Sequence, residues 1–204
     1  MKPEDISKYC ELMAEVKRRT LVIDAFGSGS AQAVFKASTI ECVYLQFRKI
    51  LELIALGSLV ANREVFSKVY LNFSKYWNAE LLLKDVGRLN PNFYPKPIIQ
   101  GKSADPNIKS EWKDRHNDWL TQRDLVKLYK KTGAILHADN PYGSKIDYAY
   151  YEREIEGWRL KIINLLNAHL IHLVGSPNIY LMQMGASGTS PTYTVFSPYD
   201  PHSG

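Results

Sequence analysis

The sequence predicts a mainly α protein, a helical bundle of about five helices with a small C-terminal β-hairpin. Two observations predict this fold class: apolar residues recur at helical spacing through most of the chain, and short β-prone runs replace that spacing after Pro177. The chain has 204 residues, of which 45% are hydrophobic and 23% charged, which is typical of a globular protein with one core. We therefore expect a single domain over 1–204, made of an N-terminal helix with a Gly/Ser turn (1–30), a core bundle (38–173) and the hairpin (178–197).

The first two helices are predicted by their apolar patterns. A helix over residues 4–26 ends at the turn sequence Gly-Ser-Gly-Ser of residues 27–30. The strongest segment, residues 38–61, is apolar nearly all round, which indicates the central helix of the bundle. Cys10 and Cys42 lie within these helices without a metal-ligand or CxxC spacing, so we expect them to be buried, reduced thiols.

The middle of the chain is predicted to contain two helices and a long connection. A short amphipathic helix is expected over residues 78–89, and the four prolines within 90–119 predict an irregular loop after it. Thr121 and Asp124 resemble a capping box, which indicates the start of the next helix. That helix is expected to end close to His137.

The last long helix is predicted over residues 147–173, because a set of apolar, aromatic and histidine residues shares one face at alternating steps of four and three. After it, the runs 179–183 and 193–196 predict the two strands of the hairpin around a Gly/Ser-rich turn. The shared face consists of Tyr151, Ile155, Trp158, Ile162, Leu165, His169 and His172.

Composition excludes several classes of protein. No segment reaches the ~18 uncharged apolar residues of a membrane span, and the first residues carry acids where a signal peptide would be apolar. We therefore predict a cytoplasmic protein that contacts no membrane. The sequence contains no Walker loop, no Gly-x-Gly-x-x-Gly, no Gly-x-Ser-x-Gly and no His-Glu-x-x-His, so we expect no cofactor.

The charge of the chain is compatible with a nucleic-acid partner. The formal net charge is +5, and the most one-sided region, residues 102–131, has eight basic residues against five acids. Such a region is either an RNA footprint or a solvated, mildly positive face. The aromatic stretches at Tyr148, Tyr150, Tyr151 and residues 66–77 either stack on single-stranded bases or pack in the core.

The most suggestive candidate site surrounds His137, which lies between a predicted helix and the turn sequence Asn-Pro-Tyr-Gly of residues 140–143. A histidine near solvent at this place suits acid–base chemistry, with Lys131 as a neighbouring charge. The alternative is that His137 caps the last carbonyls of its helix. The residues predicted to bind an anionic partner beside this catalytic pair are Arg123, Lys127, Lys130, Asn140 and Tyr142.

Two further constellations have structural alternatives. Glu41, Arg48 and Glu52 share a face of the central helix, which predicts an internal charge network or, alternatively, an arginine that holds an anionic substrate. His169 and His172 would form a metal site only if Glu41 or Glu52 met them, and a pair of core histidines is the favoured interpretation. We therefore predict no metal site.

Several segments together resemble a family of uncharacterised bacterial helical-bundle proteins. The resemblance rests on residues 48–54 (RKILELI), 90–98 (NPNFYPKPI), 136–141 (LHADNP) and the hairpin tail, and it covers residues 40–196. The order of helices also resembles HEPN domains. That second resemblance implies a dimer of helical bundles and a metal-independent ribonuclease of toxin–antitoxin or phage-defence systems.

The HEPN resemblance implies an active motif in which an arginine precedes a histidine with four to six residues between them. Before His137 this spacing falls on Thr132, Lys131 and Lys130, so Lys131 would replace the arginine. Lysine lacks the planar fork that binds phosphate in a bidentate manner. We therefore expect an interaction module that self-associates and contacts RNA or a protein partner in bacterial stress or defence, with a ribonuclease that uses His137 as the alternative.

Overall fold

The computed structural model describes residues 1–69, 78–105, 110–138 and 140–198, with the side chains of residues 68 and 69 left out. The described residues form six helices and five strands, so the prediction of a mainly α protein is confirmed. The helices are α1 (Pro3–Gly27), α2 (Lys36–Ala61), α3 (Arg63–Val69), α4 (Ala79–Leu89), α5 (Gln122–Leu136) and α6 (Tyr148–Leu166).

Helix α2 is the centre of the fold and packs against all five other helices. Its Tyr44, Phe47, Ile50 and Leu51 have no exposed surface. Apolar residues lie nearly all round this helix, which is why the sequence predicted a central helix here. None of the described helices is both long enough and apolar enough to cross a membrane.

The start of α5 follows the predicted capping box. The backbone N–H of Asp124 donates to Thr121 Oγ1 over 3.1 Å, and the N–H of Thr121 donates to Asp124 Oδ2 over 3.4 Å. These bonds satisfy two donors that a helix N-terminus leaves without partners. The helix ends at Leu136 and His137 follows it, as predicted.

The strands form one antiparallel sheet in the order β2-β1-β3-β4-β5. The predicted hairpin is present as the β4–β5 pair, but it is only part of this larger sheet, so the prediction of a small C-terminal hairpin was incomplete. The strands are β1 (Lys96–Gly101), β2 (Glu111–Asp114), β3 (Ala168–His172), β4 (Ile179–Gln183) and β5 (Thr192–Phe196).

The prediction that the last helix reaches residue 173 was wrong, because α6 ends at Leu166 and the next residues form β3. In this strand His169 and Ile171 face the helices, whereas Ala168 and Leu170 belong to a separate cluster on the other face of the sheet. Two-sided burial of successive residues favours a strand, whose side chains alternate between faces. A helix at this place would bury only one stripe.

The prediction that residues 90–119 form an irregular connection was also wrong in part. Strands β1 and β2 lie within it and pair from Ile98 opposite Asp114 to Gly101 opposite Glu111. Pro97 is tolerated because proline near the start of a strand loses only its N–H, and its carbonyl still accepts a hydrogen bond from Arg115 N over 3.2 Å.

The sheet curls towards the face opposite the helices. Trp112 and Phe196 come from its two edge strands, yet their ring centroids lie only 4.7 Å apart. Gln183 Nε2 donates to Gln100 Oε1 over 2.7 Å and bridges the strand that lies between them. The concave face therefore encloses its own apolar cluster, formed by Ile98, Ala168, Leu170 and Leu181 with Trp112 and Ile179 packed against it.

Candidate anion-binding cleft

A cleft of about 670 Å³ lies where the end of β3, the residues around β1 and the segment between β2 and α5 meet. We call it the basic cleft, because among the described residues its lining contains three permanent cations and two histidines but one carboxylate, Asp114. The five basic side chains are Lys96, Arg115, His116, Arg123 and His172.

Strand register places these side chains together. Lys96 lies opposite Leu170 in the β1–β3 pair, and Ile98 lies opposite Asp114 in the β1–β2 pair. Directly opposed residues and residues two apart point to the same face of a sheet. Lys96, Asp114 and His172 therefore project from the concave face, at the end of the sheet where α5 begins.

Arg115 of the basic cleft has a buried hydrogen-bond donor. Its Nε is buried and has no hydrogen-bond partner among the described residues, although the rest of the side chain is partly exposed. A buried donor without an acceptor costs about 1–3 kcal/mol. The residue as a whole is partly exposed and lines the cleft, so its charge is available to an anion there.

Lys96 affects the pKa of two other groups that line the basic cleft. Its Nζ lies 2.8 Å from Asp114 Oδ2, and this hydrogen bond, with the charges of Lys96 and His116, lowers the pKa of Asp114. Burial lowers the pKa of His172, and the nearby charge of Lys96 lowers it further. The carboxylate is thus ionised and paired, while His172 is a neutral imidazole at neutral pH.

An aromatic wall borders the cations. Trp119 is partly exposed to the cleft and its ring lies 6.4 Å from that of Tyr94. Tyr94 is buried and donates from its hydroxyl to the carbonyl of Leu120 over 2.9 Å, and burial raises its pKa well above the ordinary value. The buried Tyr94 therefore supports the Trp119 ring, and Trp119 is the aromatic side chain of this wall that a ligand can reach.

The predicted catalytic pair is not assembled. Lys131 turns towards α6, where its Nζ donates to the Tyr150 hydroxyl and to Glu154 Oε2, the latter over 3.1 Å. Burial opposes ionisation of Lys131, but these two partners raise its pKa. His137 is exposed beyond the end of α5 and lines none of the four clefts described in the structure.

Of the five predicted binding residues, only Arg123 lines the basic cleft. Lys130 forms an ion pair with Glu80 of α4 at 3.1 Å, and Lys127 lies with its Nζ 5.9 Å from the centre of the Trp158 ring. Asn140 and Tyr142 form the predicted turn, in which Tyr142 N donates to Asn140 Oδ1 over 3.0 Å and the Tyr142 side chain is 98% exposed.

The predicted charge network on α2 is confirmed for one pair only. Arg48 Nε lies 3.3 Å from Glu52 Oε1, and the same guanidinium donates to the Tyr129 hydroxyl over 2.9 Å. Glu41 instead accepts a hydrogen bond of 2.6 Å from the hydroxyl of Tyr148. These contacts tie α2 to α5 and α6, which is a structural role.

The two histidines of β3 have different surroundings. His169 is completely buried, donates from Nδ1 to the carbonyl of Leu166 over 2.9 Å and accepts at Nε2 from the Tyr9 hydroxyl over 2.8 Å. Both ring nitrogens are occupied, so His169 is a core histidine, whereas His172 lines the basic cleft. In the described part of the chain no three His, Cys, Asp or Glu side chains are placed to hold a metal ion.

Other predicted features have mixed outcomes. Cys10 and Cys42 are free thiols but are only partly buried, and burial raises the pKa of Cys10. Tyr151 packs against Tyr44 with ring centroids 5.0 Å apart, which favours the core interpretation of that aromatic stretch. The aromatic residues Tyr70, Phe73, Tyr76 and Trp77 and the basic residue Lys109 lie outside the described residues.

Comparison of the chain with protein-family models, with curated proteins and with solved structures gave no match in any of the three. The basic cleft is therefore the feature from which a function can be inferred. Its residues Lys96, Arg115, His116 and His172 were not predicted as a group, although Arg115 lies in the basic region of residues 102–131.

Proposed function

We propose that the protein is an RNA-binding module whose basic cleft holds the phosphate backbone. The observation that carries this proposal is the meeting of Lys96, Arg115 and Arg123 in one cleft, where Asp114, the only carboxylate among the described lining residues, is already paired. Cations that neutralise phosphates release condensed counterions, which provides much of the affinity for nucleic acids.

Two features favour an extended polyanion over a small anion. Positive charge continues out of the cleft along α5, where Arg123 and Lys127 are four residues apart and therefore lie on the same face. Trp119 provides a partly exposed ring beside the cations, and such rings stack on unpaired bases. A single-stranded segment of RNA fits both features, because its bases are free to stack while its phosphates follow the cations.

The proposal predicts that reversing two cleft charges abolishes most RNA binding. Arg115→Glu with Arg123→Glu is expected to weaken the affinity for a single-stranded RNA at least about 30-fold, because lost phosphate contacts of roughly 1 kcal/mol each are replaced by repulsion. Fluorescence anisotropy with a labelled RNA at moderate salt measures the change.

A matched control distinguishes the loss of charge in the basic cleft from the change in the net charge of the protein. Lys8 and Lys84 are exposed residues of α1 and α4, and Lys8→Glu with Lys84→Glu changes the net charge by the same amount. We expect this control to bind RNA within about threefold of the native protein. Equal losses in both variants, or no binding by the native protein, would contradict the proposal and direct the search to a protein partner.

The proposal retains self-association and a role in bacterial stress or defence, as the sequence resemblance implies. It does not retain His137 as a general base. That imidazole is exposed, whereas Lys131, its predicted partner, is engaged by Tyr150 and Glu154.

A further inference from the structure

The loop between β4 and β5 is attached to helix α1 by the side chain of Lys17. Its Nζ donates to the backbone carbonyls of Ala186, Thr189 and Met184 over 2.6, 2.7 and 2.8 Å, and the carbonyl of Gly185 lies 3.4 Å away. Within the described part of the chain these carbonyls are the partners of the ammonium group, and none of the partners is a carboxylate. Main-chain oxygens of one loop therefore hold this cation.

The geometry of these oxygens matches an ammonium group. A lysine ammonium has three N–H donors and no acceptor. The three short hydrogen bonds use all of these donors, and the stem of Lys17 approaches from α1 in the remaining tetrahedral direction. A guanidinium is a planar fork, so it cannot aim three donors of one nitrogen at the same oxygens. The loop is thus suited to a primary ammonium group in particular.

The backbone of the loop forms this cage through its own contacts. Gly185 and Gly188 have φ angles of +69° and +79°, which glycine adopts without steric cost. A Cβ on Gly185 would lie 2.6 Å from Thr189 Oγ1, so a larger residue would disturb the cage. Thr189 closes the loop on itself, because its Oγ1 and its N–H both donate to the Ala186 carbonyl, over 2.8 and 3.2 Å.

The same loop forms one wall of an apolar cleft. Residues 185–190 are exposed, and exposed loops with few buried contacts open at a low cost in free energy. The cleft has a volume of about 190 Å³, and its other walls are α1 and α6, which contribute Val16, Leu21 and Ile162. The hydrogen bonds of Lys17 therefore keep the loop against this apolar surface.

We propose that the loop of residues 184–189 is a binding site for a primary ammonium group, and that Lys17 fills it as an internal ligand. While its ammonium is bound, the β4–β5 hairpin is latched to α1; when the site is emptied, the loop opens and uncovers the apolar cleft. A free alkylammonium ion is the class of ligand that can replace the lysine, because it has the same donors.

This inference does not depend on RNA binding. The loop follows Gln183, which lies opposite Ala168 at the start of β3, whereas the basic cleft lies at the other end of that strand, at His172. Failure of either proposal leaves the other intact.

Chemical rescue of Lys17→Ala in the full chain tests the site. Hydrogen exchange measured by NMR is expected to be at least about 10-fold faster for the loop amides, Thr189 among them, than in the native protein. Propylammonium replaces the atoms that the substitution removes, so we expect it to restore most of the protection. Tetramethylammonium at the same concentration is the matched control, because it has the charge but no N–H donor. Lys8→Ala, which changes an exposed residue of α1, controls for the lost charge.

Lys17→Arg separates the geometry of an ammonium group from its charge, and its loop is expected to exchange as fast as that of Lys17→Ala. Unchanged exchange of the α2 amides confirms that each variant is folded. Native protection of the loop in Lys17→Ala would overturn the latch. Failure of propylammonium to protect the loop, or equal protection by tetramethylammonium, would overturn the ammonium site. Native protection in Lys17→Arg would also overturn it, because charge alone would then be sufficient.

Discussion

Acidification from pH 7 to pH 4 is expected to lower the free energy of unfolding by about 3 kcal/mol through His169 alone. Burial lowers the pKa of this histidine from its ordinary value of 6.5 to about 4. Between these two values the unfolded chain binds a proton that the native protein does not bind. Stability is therefore fully retained above pH 6.5 and is lost progressively as the pH falls towards 4.

The physical cause is the environment of the His169 ring. Its Nδ1–H is used by the carbonyl of Leu166, and its Nε2 accepts from the Tyr9 hydroxyl. A proton on Nε2 would reverse the second bond, deprive the Tyr9 hydroxyl proton of its acceptor, and place a charge where no carboxylate is hydrogen-bonded to the ring among the described residues. Burying a charge without a partner is strongly unfavourable.

Urea unfolding of native protein and His169→Gln at a series of pH values measures this effect. The variant is less stable at pH 7, but its stability is expected to change less between pH 6.5 and pH 4. Asp114 and Asp124, whose ordinary pKa is 3.8, titrate mostly below this range, and His172 contributes equally to both proteins. Equal pH slopes for the two proteins would show that His169 does not cause the acid sensitivity.

Replacement of Asn90 by alanine is expected to reduce the free energy of unfolding by about 4 kcal/mol, because three polar groups, one buried and two partly buried, lose the hydrogen bonds of its side chain. Asn90 Nδ2 donates to Asn62 Oδ1 over 2.7 Å and to the carbonyl of His172 over 2.9 Å. Its Oδ1 accepts from Asn92 N over 2.9 Å. This side chain therefore connects the ends of α2 and α4 with the end of β3.

Asn92→Ala is the matched control, since Asn92 is exposed and contributes its backbone rather than its side chain to this network. Its expected cost is below about 0.5 kcal/mol. Chemical denaturation of both variants at pH 7 measures the difference. A cost of less than about 1 kcal/mol for Asn90→Ala would mean that water replaces the lost partners. The same substitution is expected to loosen His172 and therefore the base of the basic cleft.

The helices that are specified by short stretches of sequence were predicted correctly. The apolar circumference of α2 and the Thr121–Asp124 capping box of α5 are contained in short stretches of sequence, and the structure shows both. Strands β1 and β2 were missed because prolines at 95 and 97 suggested a loop, and because a strand is stabilised by partners that lie elsewhere in the chain. The face shared by Leu165, His169 and His172 continued the helical spacing by coincidence across the boundary between α6 and β3.

The candidate cleft was predictable only in part for the same reason. Arg115 and Arg123 belong to the basic region that the charge count identified, so a local excess of charge did indicate them. Lys96 and His172 join them through the pairing of β1 with β3, which connects distant parts of the chain. No spacing rule for neighbouring residues reveals such a pairing. The charge count also suggested that Lys130 and Lys131 were available to a partner. Both instead form ion pairs with acidic residues of other helices, which a local count does not include.

The salt dependence of RNA affinity tests most directly the claim that the basic cleft contacts phosphates. Arg115→Gln with Arg123→Gln removes two charges without introducing repulsion. For single-stranded RNA the slope of log affinity against log salt concentration is expected to be smaller in magnitude than that of the native protein by about 1.4. Each phosphate contact contributes about 0.7 to this slope. An unchanged slope would contradict the account, because RNA would then be bound elsewhere on the protein.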